Sequence, residues 1–267
     1  MDAPTDVRPL LLSMQASVAA AVRRFADVHA VGPFLVGIDR TSDMIWINYA
    51  LPAVERADDE QIASALPGVR RVFADHARVP RFEFFRGLWP TLGATLARAG
   101  YVLQQDMPLM AAGRGDLRDV ASPGVTVERV TAEATDGYLR LLVEVGQLAF
   151  GEWGSQDPAE AVAGRREMLA QGLGTQARAS IEGRVVGVAT LMHGGPVSEI
   201  VGVGTHPDFR RRGVATALTR FLCDLHFDQG GEVAWLSAAD EAARRVYAKV
   251  GFRDVGVQAH YIDRAWK

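Results

Sequence analysis

The stretch Val201-Gly202-Val203-Gly204-Thr205-His206-Pro207-Asp208-Phe209-Arg210-Arg211-Arg212-Gly213-Val214-Ala215-Thr216-Ala217-Leu218 decides the reading of this chain. A strand ends at Thr205, a turn follows at His206-Pro207-Asp208, and a helix begins near Arg212. Gly213 and Ala215 keep side chains away from the first helical turn. Its free N–H groups can then be approached by a phosphate. The N-terminal end carries about +0.5 of an elementary charge from the helix dipole, and Arg210, Arg211 and Arg212 add full charges beside it. The pattern implies an anion site suited to a diphosphate. A basic, glycine-started surface helix is the plainer alternative. No Gly-Lys-Ser/Thr follows, so this is not a Walker loop, and the three glycines of the dinucleotide fingerprint are absent.

Outward from this stretch, periodicity divides the chain in two. The second half reads as strand 125–130, helices at 131–149 and 157–171, strands 176–182, 185–193 and 197–205, a helix from about 212 to 228, strand 232–237, helix 240–250 and strand 252–262. The first half reads as helix 9–29, strands 34–38 and 44–50, helix 58–76, strand 81–85, helix 88–99 and strand 101–110. A polar, glycine-rich stretch separates them. The expected domains are 1–112, a linker at 113–124, and 125–267. Mixed strands with interspersed helices imply an α/β (α+β) fold with a mixed, mostly antiparallel sheet flanked by helices.

The halves echo each other. A helix ends at Gly100 and a strand begins at Tyr101-Val102, and Gly251 with Phe252-Arg253 repeats the junction. The order of elements before each junction also matches, which implies a tandem of related halves.

Composition narrows the function classes. Over 267 residues the net charge is −3, against a surface built to grip nucleic acid or anionic lipid. One cysteine, Cys223, excludes an intramolecular disulfide framework and a Cys-cluster zinc site. No His/Asp/Glu spacing suggests a metal. No run reaches the roughly 18 apolar residues of a membrane helix. Residues 10–22 loosely imitate a signal-peptide core, but Asp2 and Asp6 flank the lone Arg8, and Leu11, Met14, Val18, Val22 and Phe25 recur as an amphipathic helix. A cytoplasmic protein is expected, with an oligomer left open.

At Arg210-x-x-Gly213-x-Ala215 the sequence resembles the GCN5-related N-acetyltransferase (GNAT) superfamily, whose pattern is Arg/Gln-x-x-Gly-x-Gly/Ala after the central strand. Downstream, Tyr247 stands four residues before Gly251-Phe252, and Ala243 matches the family's small residue. The resemblance covers about 125–265 and implies a GNAT fold, with the first half a degenerate copy. It implies acetyl-coenzyme A as cosubstrate without a metal. Backbone groups of Val203, Gly204 and Thr205 would pair with the pantetheine arm, as an added strand pairs with a sheet edge. Amides of Arg211, Arg212, Gly213, Val214, Ala215 and Thr216 would hold the diphosphate. Tyr247 would protonate the departing thiolate. Asp240 stands where family members often carry a coenzyme-contacting Asn, which puts that contact in doubt and leaves a helix N-cap as its reading.

An amine nucleophile must be neutral to attack a thioester, so a base is needed. Glu199 opens the central strand at the spacing from Arg210 that histone-type members of the family use for theirs. Strand alternation would put Glu199, Val201, Val203 and Thr205 on one face. Glu152 and Asp157 are rival bases, and Phe150 and Trp153 candidate acceptor-pocket residues. His193 and His206 read as turn or surface histidines.

The first half lacks the equipment. Leu96 and Trp89 fall where Tyr247 and Asp240 stand, and Ala53-Val54-Glu55-Arg56-Ala57-Asp58-Asp59-Glu60 is acidic and has no glycine. It should repel a diphosphate and serve the acceptor site or an interface instead. The expected activity is transfer of acetyl, or another short acyl group, from coenzyme A to an amine by direct attack, with a small-molecule acceptor favoured over a protein. The alternative is a non-catalytic acyl-coenzyme A-binding or interaction module.

Overall fold

The computed structural model describes residues 7–40, 42–151 and 157–265. The chain forms two compact units, Met1–Leu109 with Val255–Lys267, and Met110–Asp254.

The first unit runs α1 (Arg8–Phe25), β1 (Ala26–Val31), β2 (Phe34–Asp39), β3 (Tyr49–Pro52), α2 (Asp59–Asp75), β4 (Arg81–Phe85), α3 (Leu92–Arg98) and β5 (Tyr101–Gly113). It also receives most of the last strand, β11 (Arg253–Asp263). Its strand order is β1-β2-β3-β4-β11-β5. The chain's end therefore lies in this unit: β11 pairs antiparallel with β4 from Gln258–Phe85 to Ile262–Arg81. Phe82 sits at the centre, edge-on to Phe34 and Tyr101 at 5.0 and 5.2 Å between ring centroids.

Two expectations for this half are corrected. The helix expected to reach residue 29 ends at Phe25, and Ala26–Val31 are strand. Val31 pairs with Phe34, so Gly32-Pro33 closes a two-residue hairpin on the buried strand β2. The strand expected at 44–50 begins only at Tyr49. The Asn48 side chain accepts from Asp39 N–H at 2.8 Å and donates to the carbonyls of Ser42 and Met44 at 2.9 and 2.8 Å. This curls residues 44–47 into a turn. Trp46 lies there with the Arg81 guanidinium 4.6 Å from its ring centroid.

The second unit runs β6 (Thr126–Val130), α4 (Asp136–Phe150), α5 (Pro158–Ala170), β7 (Gly174–Ile181), β8 (Arg184–Met192), β9 (Val197–Thr205), α6 (Val214–Asp228), β10 (Val233–Ser237) and α7 (Glu241–Val250). Its strand order is β10-β9-β8-β7-β6. All neighbours are antiparallel except β9 and β10, which are parallel. Helices cover both faces, as successive residues of β8 show. Val188 packs with Leu139, Leu142 and Val143 of α4. Ala189 and Leu191 pack with Leu218 and Leu222 of α6. Each fully buried Val or Leu among them contributes about 1.5–3 kcal/mol.

The stretch 113–124 lies within this unit's range. Leu117 and Val120 pack against the α6 core, Arg118 N–H donates to the Val250 carbonyl at 3.0 Å, and Ser122 Oγ donates to the Gly213 carbonyl at 3.2 Å. The element order of the first unit, two antiparallel strand pairs, a parallel step across a helix, then helix, Gly and strand, repeats in the second.

Candidate active site

The candidate anion site lies where β9 passes into α6. His206 N–H donates to the Val186 carbonyl at 2.8 Å, and Pro207–Phe209 make a single 3-10 turn. Arg211 then takes φ 61°, a left-handed conformation that costs a non-glycine residue about 1–2 kcal/mol. Gly213, the N-cap of α6, takes φ 80°. It has no side chain to accept the first N–H groups, and the first turn carries no acidic residue. Those donors and the dipole are thus left for an outside anion.

Four arginines surround it. Arg210 donates to the Ala149 carbonyl at the end of α4, at 2.9 Å, and ties the loop to that helix. Arg212 and Arg184 lie 5.3 and 5.0 Å from the Phe209 ring centroid and hold two further cations at the loop. Arg211 is exposed.

The corresponding helix of the first unit begins with a side-chain cap and an acidic first turn. Asp58 caps α2: its carboxylate accepts from Gln61 N–H at 2.8 Å, the Gln61 side chain accepts from Asp58 N–H at 3.0 Å, and Asp59 and Glu60 fill the first turn.

Beside the anion site, β9 leaves its parallel neighbour. Among the described residues the ladder comprises Val233–Val197, Ala234–Ser198 and Trp235–Glu199. Val201, Gly202 and Val203 beyond it retain solvent exposure. A partly exposed stretch of β9 thus adjoins the α6 N-terminus, whose N-cap is a glycine with no side-chain cap.

The alternation expected along β9 does not hold. Gly202 takes φ 62°, and the pairing with β8 shifts by one residue between Val188–Gly204 and Thr190–Val201. This bulge reverses the facing of the residues after it. Glu199 and Val201 share the α4 side with Gly204, whose Cβ position lies 2.9 Å from Ala149 Cβ and 3.1 Å from the Phe150 ring. Val203 instead packs with the α6 core. The glycine inside a strand was the available signal for the bulge.

Tyr247 lies on that α6 side. It is buried on α7, in one cluster with Val203, Phe209, Val214 and Ala243. Burial pushes its phenol up to about 12, and the Asp240 carboxylate adds to the rise. Asp240 is the α7 N-cap and accepts from Ala243 N–H at 2.8 Å. Among the rival bases, Asp157 caps α5 and accepts from Ala159 N–H at 2.8 Å; Glu152 and Trp153 lie outside the described residues. His193 bridges Thr175 Oγ1 and the Gly172 carbonyl, and His206 accepts from Asp208 N–H at 3.3 Å within its turn. Cys223 is buried in α6, and burial pushes its thiol up, away from a reactive thiolate.

Residues 142–252 match the sequence profile of the Acetyltransferase (GNAT) family. This segment is a GNAT domain. The whole chain is similar in fold to a GCN5-related N-acetyltransferase from Kribbella flavida, at TM-score 0.78 and 22% identity over 96% of each chain. It is similar to a GCN5-related N-acetyltransferase from Sphaerobacter thermophilus at TM-score 0.62 and 15% identity, over 97% of this chain and 93% of that one. A tandem GNAT protein from the clavulanic acid biosynthesis pathway matches at TM-score 0.60 and 13% identity, over 97% of this chain and 87% of that one. No curated protein matches the sequence. The GNAT fold expected from the sequence is thus present, and the family's chemistry is acyl transfer from coenzyme A. Among the described residues no group of three or more His, Cys, Asp or Glu side chains is arranged to hold a metal ion. Among them, too, no helix is long and apolar enough to cross a membrane.

Proposed function

We propose that this protein is an N-acetyltransferase that moves acetyl, or another short acyl group, from coenzyme A to an amine by direct attack. One observation carries the reading: the unblocked N-terminus of α6 at Gly213 adjoins the stretch of β9 that has left its parallel partner. Amides from Arg211 to Thr216 bind the diphosphate, and backbone groups of Val203, Gly204 and Thr205 align the arm, which carries the thioester toward the divergence of β9 and β10.

Acid and base then work from opposite sides of the sheet. Glu199, on the α4 side, accepts the proton of the attacking amine, directly or through water. Tyr247, on the α6 side, faces the departing sulfur. Its phenol keeps its proton at neutral pH, so it is always ready to donate. A thiol has a reference value near 8.5, well below this phenol. Tyr247 therefore stabilises the thiolate first as a hydrogen-bond donor, passes its proton to sulfur as product leaves and is reprotonated from solvent, to which Glu199 returns the amine's proton. No acyl-enzyme is required, in keeping with the buried, protonated Cys223.

The test is thiol release from acetyl-coenzyme A with a panel of amines, each product checked by mass. Amine-dependent release with an acetylated product is expected. Tight acetyl-coenzyme A binding with no turnover on any amine would favour the binding-module alternative.

A further inference from the structure

Arg165, on α5, stands apart from the other half-buried arginines of the second unit. Arg166 is paired with Asp136, Arg178 with Glu128 and Arg220 with Asp224. Arg165 has no ion-pair partner among the described residues, and its Nη1 is buried without a hydrogen-bond acceptor. Burial alone lowers its guanidinium to about 10, so it remains a cation at neutral pH. Withdrawing a charge from water with nothing to compensate it is costly, and such groups are ordinarily paired.

The fold puts this cation on the Glu199 side of the sheet. Ala161, Val162 and Leu169 of α5 pack with α4 and Val188, which fixes the inward face of the helix. Arg165 lies on that face, one turn from Met168. Met168 Sδ and Thr190 Cγ2 meet at Gly174, at 3.2 and 3.4 Å from its Cβ position. Thr190 is paired with Val201, and the next same-face pair along the strands is Met192 with Glu199. Met168, one turn from Arg165, thus stands on the same side of the sheet as the Met192–Glu199 pair.

We propose that Arg165 is the specificity residue of the acceptor site and pairs with a carboxylate carried by the attacking amine. This rests on the acyl-transfer reading above and names its acceptor class. A single guanidinium matches a monoanion, and its planar fork matches a carboxylate's two oxygens. A phosphate dianion would call for a second cation.

The experiment measures thiol release from acetyl-coenzyme A with glycine, β-alanine, γ-aminobutyrate and ε-aminocaproate, each against the alkylamine of equal length. At one length the amino acid should exceed its alkylamine in kcat/KM by about 100-fold or more, mostly through KM. In Arg165→Met that ratio should collapse toward one, and Arg165→Lys should restore part of it. A readout without turnover runs in parallel: acetate and the same amino acids should raise the Tm of the wild type but not of Arg165→Met. Alkylamines used as well as amino acids, a ratio unchanged in Arg165→Met, or an anion-induced Tm rise that is absent or equal in both proteins would each overturn the assignment. No thiol release with any amine, alongside an Arg165-dependent Tm rise, would sink the acyl-transfer reading and leave the anion clamp standing.

Discussion

A Cβ at Gly251 would stand 2.1 Å from the carbonyl oxygen of Asp116 and 3.1 Å from Leu117 Cα. Gly251 also takes φ 122°, which side chains rarely adopt. The glycine of the Gly251-Phe252 pair is therefore fixed by the passage of the 116–118 backbone across the end of α7. Arg118 N–H binds the Val250 carbonyl at the same place. Gly251→Ala should cost roughly 3–5 kcal/mol, a backbone clash that no rotamer relieves. Urea unfolding would read it directly; a loss below about 1 kcal/mol would mean the crossing segment simply moves.

Gly213→Glu should abolish acetyl-coenzyme A binding. The Cβ position is 3.0 Å from Ser122 Oγ, φ is 80°, and the carboxylate would lie against the N–H groups proposed to hold the diphosphate. For the wild type, ligand at 100 times its Kd should stabilise the fold by about 2.7 kcal/mol. The variant should show no ligand-dependent rise, with its ligand-free Tm measured separately to isolate the strain. Undiminished binding by calorimetry would move the site elsewhere.

Much of the candidate second-unit site can be drawn from the sequence because its signals are local. Gly213 after three arginines marks an uncapped helix start, and Tyr247 before Gly251 repeats a short spacing. What stayed hidden depends on partners remote in sequence. Met44–Ile47 carry the β-branched and aromatic residues of a strand, yet Trp46 covers Arg81, and Asn48 curls the loop beneath it. Ala26–Val31 continue the apolar spacing of α1, and only the two-residue turn with β2 makes them a strand. Arg165 looks like any helix arginine until its Nη1 is seen to be buried with no ion-pair partner among the described residues.

Tyr247→Phe should lower the rate of acyl transfer by roughly 10²–10⁴ with cofactor affinity little changed. With its phenol near 12, Tyr247 stays protonated throughout the neutral and mildly alkaline range. It should therefore add no alkaline limb to the pH–rate profile below that value. A wild-type rate in the variant would return Tyr247 to a packing role, as would unfolding of the variant.

Acid should weaken the first unit through His260. This buried imidazole accepts from Arg81 Nη2 at 2.8 Å through Nδ1, with Glu83 4.0 Å from Nε2 and the Trp46 ring 6.2 Å away. Burial lowers its pKa, Arg81 lowers it further, and Glu83 and Asp106 oppose them. In the unfolded chain the reference value is about 6.5. Below that, the unfolded state takes up a proton that the folded state refuses, so stability is full above it and falls as the pH drops toward the folded value. His226 in the second unit, also lowered by burial, adds a parallel term. The urea midpoint should fall between neutral pH and pH about 5, and His260→Gln should flatten part of that slope. An equal slope in the variant would assign the loss to carboxylates.

The contrast between Gly213 and Asp58 predicts one coenzyme site per chain. Both residues begin the helix that follows the parallel-paired strand of their unit, so the folds are equivalent at this point. Their electrostatics are opposite. Gly213 leaves the helix donors open among three arginines, whereas Asp58 occupies them with its carboxylate and is followed by two more acids. A diphosphate at α2 would displace an existing cap and meet like charge, losing both the cap and the dipole. The position equivalent to Tyr247 is Leu96, fully buried, so no proton donor waits there either. Titration of the full chain should saturate at one equivalent of acetyl-coenzyme A. The full chain is required, because a cut near Ala121 would remove the Asp116–Arg118 backbone that packs on Gly251 and separate β11 from β4. Asp58→Gly with Asp59→Ser and Glu60→Ser should not create a second site, since α2 still lacks the arginine loop. Two equivalents bound by the wild type would mean that Asp58 yields its cap to phosphate and that the first unit is a working copy.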